Sequence, residues 1–380
     1  MSECLAQQDL EIAGRAFNAK DVAASSTLNA KCYTDPKYFD AEMDAVFRRS
    51  WQWVCHAEKV REPGAYYVAE VAGRSIAVVR DRAGGLRAFY NVCKHRAHHL
   101  LAGEGKARVI TCPYHAWSYN LDGGLRQAPM TETLVDFRKE EICLSQVQVE
   151  EFCGFVYVNM DPAAASLASQ SGELKAEIDR FAPDVGTLTF ARRLQFDIRS
   201  NWKNVVDNFL ECYHCPTAHK DFVSLLQFDT YKVTTHGIYS SHMAKGGNTG
   251  NTAYSVEGAT CDDHAVWWVW PNTCLLRYPG RANFLVLNII PVAPDRTIET
   301  YDFYFESAEP TPQEVEAINY IRDVLQQEDI DLVESVQRGM STPAFESGRI
   351  VSDPLQSGMS EHALHHFHGL VLKAYQDALK

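Results

Sequence analysis

Apolar and polar positions along this chain change their period twice. In DPKYFDAEMDAVFRRSW, Phe39, Met43, Val46 and Phe47 recur at helical spacing, which predicts an amphipathic helix. The next stretch, GAYYVAEVAGRSIAVVRDRAGGLRAFYNV, reads as short strands broken at AG and AGG turns, and this β signature continues to FCGFVYVNM near residue 160. DPAAASLASQSGEL is small, polar and loop-like, and marks a boundary. Beyond it FARRLQFDIRS reads as a strand and NWKNVVDNFLECYH as a helix. Three further strands are expected in HAVWWVWPNTCLLRYPGRANFLVLNIIPVAPDRTIETYDFYFE, separated by Pro-Asn, Pro-Gly and Pro-Asp turns. TPQEVEAINYIRDVLQQEDIDLVESVQRGM then opens with a capping box: Thr311 caps, Pro312 fills the first turn and Glu314 closes back. The expected class is α+β. A helical segment, 1–44, packs on the last region; 45–162 is β-rich; 163–380 is an antiparallel sheet with helices.

Composition narrows the function class. With 380 residues, 46% apolar and 22% charged, the chain reads as a globular protein with ample core. A net charge of −13 argues against nucleic acid or an anionic membrane surface as the main partner. MSECLAQQDLEIAGRAF has no basic region followed by an apolar run, and no window reaches ~18 uninterrupted apolar residues. A cytoplasmic location without signal peptide or membrane span is expected. The eleven cysteines are therefore read as metal ligands or buried thiols rather than a disulfide framework.

Two short stretches carry the first chemistry. CKHRAHHL holds Cys93-x-His95 and TCPYHAW holds Cys112-x-x-His115, with sixteen residues between His95 and Cys112. Tetrahedral zinc is the plain reading of two cysteines and two histidines. Zinc fingers, however, pair like with like, whereas each arm here carries one of each. That mixed pairing is the arrangement of a Rieske cluster, in which two cysteines hold one iron and two histidines the other. Replacing thiolates by neutral imidazoles raises the potential, which suits an electron relay. His98 and His99 have no matching position and are read as structural or surface residues.

A second constellation follows. Asp207, Glu211 and His214 are four and then three residues apart, so an uninterrupted helix puts them on one face. His219 comes five residues later, after Pro216, and converges with His214 only if the backbone deforms there. Two histidines and one carboxylate with open positions form the facial triad of non-heme ferrous iron. Taken alone, a histidine pair near cysteines is as well explained by packing. For the carboxylate, the apolar stripe Ile318, Leu325, Leu332 and Val336 includes Asp329, while Asp331 falls among Gln327, Glu328, Glu334 and Ser335 on a solvated face. A carboxylate directed into a core is costly unless paired or metal-bound. Asp329 is the choice and Glu328, bordering the stripe, its rival.

CxH…CxxH followed by ECYHCPTAH and EDIDLVESVQRGM resembles the large (α) subunits of Rieske non-heme iron oxygenases, over nearly the whole chain from CYTDPKYFDAEMDAVFRRSW to SGMSEHALHHFH. Within them it is most similar to the carnitine monooxygenase oxygenase components and relatives acting on quaternary ammonium compounds. The resemblance implies a Rieske two-iron two-sulfur domain, a helix-grip catalytic domain and a homotrimer in which electrons cross from the cluster of one subunit to the iron of its neighbour. It implies that Cys93, His95, Cys112 and His115 hold the cluster and that His214, His219 and Asp329 hold iron. Glu211 takes the bridging position that is usually aspartate, with Asp207 supporting the same network or capping polar groups in the helix. Ala97 replaces the glycine of the common CxHRG. HALHHFH is treated as structural. A separate flavin and ferredoxin-type reductase is implied, passing NAD(P)H electrons to the cluster, with dioxygen as co-substrate.

For a trimethylammonium substrate, aromatic faces are the usual receptor. Tyr213, Trp268 and Trp270 are the candidates, alternation placing Trp267 on the opposite face, though all the tryptophans also read as sheet core. Arg277 or Arg281 are candidates for a substrate carboxylate. An aromatic ring-hydroxylating enzyme acting on an aromatic acid is the competing reading. A Rieske electron carrier without catalysis is the third, opposed by the second constellation and by the long region beyond the cluster.

Overall fold

The computed structural model describes residues 5–247 and 261–379. It divides into two compact units: Arg48–Ser169, and Met1–Phe47 together with Gln170–Lys380. The α+β expectation holds.

In the first unit, β1 (Gln52–His56), β2 (Ala65–Val71), β3 (Arg74–Arg80), β4 (Leu86–Tyr90), β5 (Glu104–Lys106), β9 (Gln146–Phe152) and β10 (Phe155–Asn159) form one sheet, ordered β1-β10-β9-β4-β3-β2-β5. A small second sheet joins β6 (Ile110–Thr111), β7 (Ser118–Tyr119) and β8 (Leu125–Gln127). Turn chemistry sets the register. Val71 pairs with Arg74 across Ala72 and Gly73, both with positive φ, the twist-matched two-residue hairpin. Phe152 pairs with Phe155 across Cys153 and Gly154 in the same way. At the AGG turn the Asp81 carboxylate accepts from the Ala83 and Gly85 amides. Ile76, Val78, Val156 and Val158 supply the core between them.

The second unit is built on one antiparallel sheet, ordered β11-β17-β16-β15-β14-β13-β12. Its strands are β11 (Thr189–Ile198), β12 (Leu226–Thr235), β13 (Tyr239–Gly246), β14 (Asp263–Val269), β15 (Thr273–Arg277), β16 (Asn283–Ala293) and β17 (Arg296–Phe305). The stretch read as three strands forms four, β14 to β17, because each of its three Pro-containing turns is a chain reversal. The Phe39 helix spans Pro36–Glu42, capped by Asp35, and continues as a π turn over Met43–Phe47 that packs Phe47 on Trp202. Inside, the Lys203 ammonium and the Glu42 carboxylate pair at 2.6 Å, both fully buried. Glu42 also accepts from the Trp202 indole and the Tyr375 hydroxyl.

The Thr311–Glu314 capping box forms as expected, with Pro312 in the first turn. The helix then takes a π turn at Ile321–Leu325 before continuing as Gln326–Met340. A π turn inserts one residue and rotates everything after it. The buried face accordingly becomes Gln326, Val333 and Gln337, while Leu332 and Val336 are exposed. The expected stripe is therefore shifted by one position beyond the turn. No helix among the described residues is long and apolar enough to cross a membrane.

Candidate functional site

The two cluster arms are matching loops. In each, the amide four residues after the cysteine donates to the cysteine carbonyl: Ala97 to Cys93 and Ala116 to Cys112, both at 3.0 Å. Both alanines sit at φ 57°, in the left-handed region. That is why glycine is the usual occupant at the Ala97 position: a Cβ there costs about 1–2 kcal/mol. The Cys93 and Cys112 thiols are buried while His95 and His115 are exposed, their rings 4.6 Å apart. His95 stacks on Trp117, and Tyr119 places its hydroxyl 3.2 Å from the Cys93 sulfur. Two inner thiols and two outer imidazoles suit a group with chemically distinct irons. His98 and His99 are exposed, as expected.

The second site departs from the expected helix. Asn201 caps it through the Lys203 amide, but it ends at Phe209, and Leu210 closes it. Asp207 and His214 therefore do not share a helical face. His214 lies on the turn that follows and His219 between the short helices Cys215–Ala218 and Lys220–Ser224, with Pro216 harmless in a first turn. This bend brings the His219 Nε2 to 3.1 Å from the His214 Nε2 and 2.9 Å from the Asp329 Oδ1, with 3.6 Å closing the triangle. Those separations suit three donors around one ion at bonds of about 2.1 Å. Among the described residues, His214, His219 and Asp329 are a set able to hold a metal. A disulfide joins Cys212 and Cys215 across this turn.

The remaining ring nitrogens are held from outside. His214 Nδ1 donates to the Glu211 Oε1 at 2.6 Å, and His219 Nδ1 to the Glu328 Oε2 at 2.8 Å. Each carboxylate fixes its imidazole with Nε2 turned toward the triad. Glu328 thus sits behind His219, and Asp329 faces the shared point. Asp329 does so from the margin of the shifted inner face, one turn from both Gln326 and Val333. Burial disfavours charge on His214, but Asp329 and Glu211 outweigh it and push its pKa up to about 10. Burial likewise opposes ionised Asp329, yet both histidines hold its carboxyl below the usual range. Excess negative charge around two imidazoles is what a cation would neutralise.

Beside the triad lies a cavity lined by Phe209, Phe222, Tyr231, Tyr278 and Tyr301, with His264, Glu211 and Glu299. No Lys or Arg lines it. Six expected site residues are elsewhere. Asp207 accepts from Tyr33 at 2.7 Å and lies 2.9 Å from the His368 Nε2, so its carboxylate is taken up by the N-terminal segment and by the last histidine of HALHHFH. Trp268 is fully buried and packs edge-on against Phe367, as Trp270 packs nearby. The C-terminal helix His362–Ala378 thus takes the indoles that were expected to meet substrate. Tyr213 is 47% exposed and outside the cavity, because the helix ended before carrying it inward. Arg277 is buried against the carbonyls of Tyr278 and Arg281, and Arg281 pairs with Glu306. Glu299 and Tyr301 went unnoticed in the sequence. The available signal was a carboxylate at an inward position of an alternating strand, Thr297-x-Glu299-x-Tyr301-x-Phe303.

Residues 50–138 match the Rieske [2Fe-2S] domain, and residues 185–377 match the catalytic domain of the ring hydroxylating alpha subunit. The chain belongs to the Rieske oxygenases. Zinc is thereby set aside, as is a carrier without catalysis: this is an oxygenase with a cluster domain and a mononuclear iron domain. The Rieske oxygenase is 41% identical over 353 residues to the carnitine monooxygenase oxygenase subunit of Escherichia coli (strain K12), covering 92% of this chain and 94% of that one. It is 34% identical over 344 residues to the chloroplastic choline monooxygenase of Amaranthus tricolor, covering 88% and 75%. Its structure is similar to that of the quaternary ammonium Rieske monooxygenase CntA in complex with substrate L-carnitine, at a TM-score of 0.86 and 34% identity over 98% and 100% of the two chains.

Proposed function

We propose that this Rieske oxygenase uses O2 and reductase-supplied electrons to hydroxylate a quaternary ammonium compound, carnitine or a related betaine, beside its nitrogen. The observation that carries this reading is the cavity at the triad: aromatic rings and carboxylates, with no Lys or Arg. Such a wall attracts a cation through ring faces and charge and disfavours the net negative charge of an aromatic acid, whereas a betaine brings its own cation. Likeness to the carnitine and choline monooxygenases supports the same class. Hydroxylation at a carbon bearing nitrogen leaves an unstable product whose C–N bond then breaks. Trimethylamine and malic semialdehyde are the products expected from L-carnitine.

In this reading Cys93, His95, Cys112 and His115 hold the cluster, and His214, His219 and Asp329 hold one ferrous ion. That ion supplies the activation of O2 next to the substrate. The chain's own contribution is positional. Glu211 and Glu328 hold both imidazoles by Nδ1, which leaves Nε2 free for the metal. Phe209, Phe222 and Tyr231 line the site with apolar surface that excludes water. Glu211 also takes the bridging role toward the cluster of a neighbouring subunit in a homotrimer. A cytoplasmic flavin and ferredoxin-type reductase, oxidising NAD(P)H, is the electron donor.

The test is reconstitution with a promiscuous reductase and NADH, assaying trimethylamine from carnitine, choline and glycine betaine against products from benzoate-type acids. Turnover of the acids alone would replace this reading with the aromatic one.

A further inference from the structure

Three carboxylates line the cavity, and two are committed. Asp329 is shared between His214 and His219, and Glu211 between the ring and amide of His214. Glu299 is different. It is only 3% exposed, on the inward face of β17, and its sole hydrogen bond among the described residues brings the Gln326 amide to Oε2. The Gln326 carbonyl in turn accepts from the Tyr301 hydroxyl, so the carboxyl is oriented by a fixed chain of neutral groups. Its Oε1 has no hydrogen bond among the described residues, and no Lys or Arg lines the cavity.

A buried carboxylate with one amide partner and no cation is costly. Burial, and then the charge of Asp329 facing it from the neighbouring helix, push the Glu299 pKa up to about 8. A structural strut could be a second glutamine at lower cost. A carboxyl raised in this way is poised between its neutral and charged forms, and a cation entering the cavity would favour the charged one.

We infer that Glu299 is the counter-charge for the substrate's trialkylammonium head, reached through Oε1, with Gln326 and Tyr301 holding the carboxyl toward the cavity. The inference rests on the quaternary ammonium reading and deepens it. A trialkylammonium group has no N–H, so the attraction is Coulombic and the neighbouring Tyr301 ring offers a face rather than a hydrogen bond. Glu299 then selects for charge, whereas the aromatic wall selects for shape. Ordinary aromatic cages accept a neutral tert-butyl group more readily than a site that also holds a dedicated carboxylate.

The experiment uses the holoenzyme, with iron content and cluster absorption checked, and calorimetric binding of choline and its neutral carbon isostere, 3,3-dimethylbutan-1-ol. The wild type binds choline more tightly, and Glu299→Gln lowers that preference by about tenfold or more while leaving the affinity for the alcohol nearly unchanged. Glu299→Asp keeps part of the preference, since the charge remains one methylene farther back. Should Glu299→Gln not load iron, the Glu299→Asp comparison decides: a choline-to-alcohol ratio equal to that of the wild type excludes Glu299. An unchanged ratio in Glu299→Gln excludes it as well, with the substrate class intact. If the wild type itself shows no preference for the cation, the quaternary ammonium reading falls and the inference with it.

Discussion

The cluster arms and the donor triad are two ways of building a metal site in one chain. The arms are local: Cys93 to His95 and Cys112 to His115 sit in two loops of the same hydrogen-bond pattern, each closed by a left-handed alanine. The triad is assembled across the fold, with His219 and Asp329 separated by 110 positions in sequence. Its geometry depends on a helix that stops at Phe209, a bend at His219 and a π turn at Ile321–Leu325. Local spacing makes a site that can be read as a motif. A site assembled at long range depends on every turn between its parts.

Substitutions can break that comparison. The largest effect is expected for His214→Ala. Oxygenase activity is lost and the single iron is no longer retained, while cluster absorption and paramagnetic resonance stay as in the wild type. Concurrent loss of the cluster would show that the two sites are not built independently.

Next is Lys203→Met, which leaves Glu42 buried without its cation. Removing one partner of such a pair costs about 3–5 kcal/mol. Hydrogen exchange should accelerate in the helix Trp202–Phe209 and leave the arms at Cys93 and Cys112 unchanged. Equal acceleration in both places would mean that the units unfold together.

The smallest effect belongs to Ala97→Gly. Relief of the left-handed alanine should stabilise the arm by roughly 1 kcal/mol, seen as a later midpoint for cluster bleaching in denaturant. An earlier midpoint would show that the alanine methyl contributes packing the backbone argument omits.

Much of this was legible in the residues. The Cys93–His95 and Cys112–His115 arms fold as paired loops, the Thr311–Glu314 cap forms as its spacing suggested, and His214 and His219 meet through the backbone bend that their spacing required. Asp329 was chosen from an apolar stripe that the π turn displaces: Leu332 and Val336 face outward, and Val333 and Gln337 inward. Asp329 lay on the stripe in the expected phase and lies at the margin of the inner face in the shifted one, where it still reaches both histidines. Glu328, its rival, proves to hold the outer nitrogen of His219. The tryptophans misled because aromatic residues in a strand look the same whether a helix or a ligand covers them, and here Phe367 does.

What the sequence determined by itself is whatever depends on neighbours within a few residues: turn types, caps, the paired arms and the closely spaced histidine pair. Tertiary structure alone decided which carboxylate faces the shared point, which aromatic rings border the cavity, and that Asp207 serves Tyr33 and His368. Backbone sterics act over one or two residues and leave a mark on local composition. Cavities are made by surfaces that meet from distant segments, and one inserted residue in a helix is enough to change which side chains meet there.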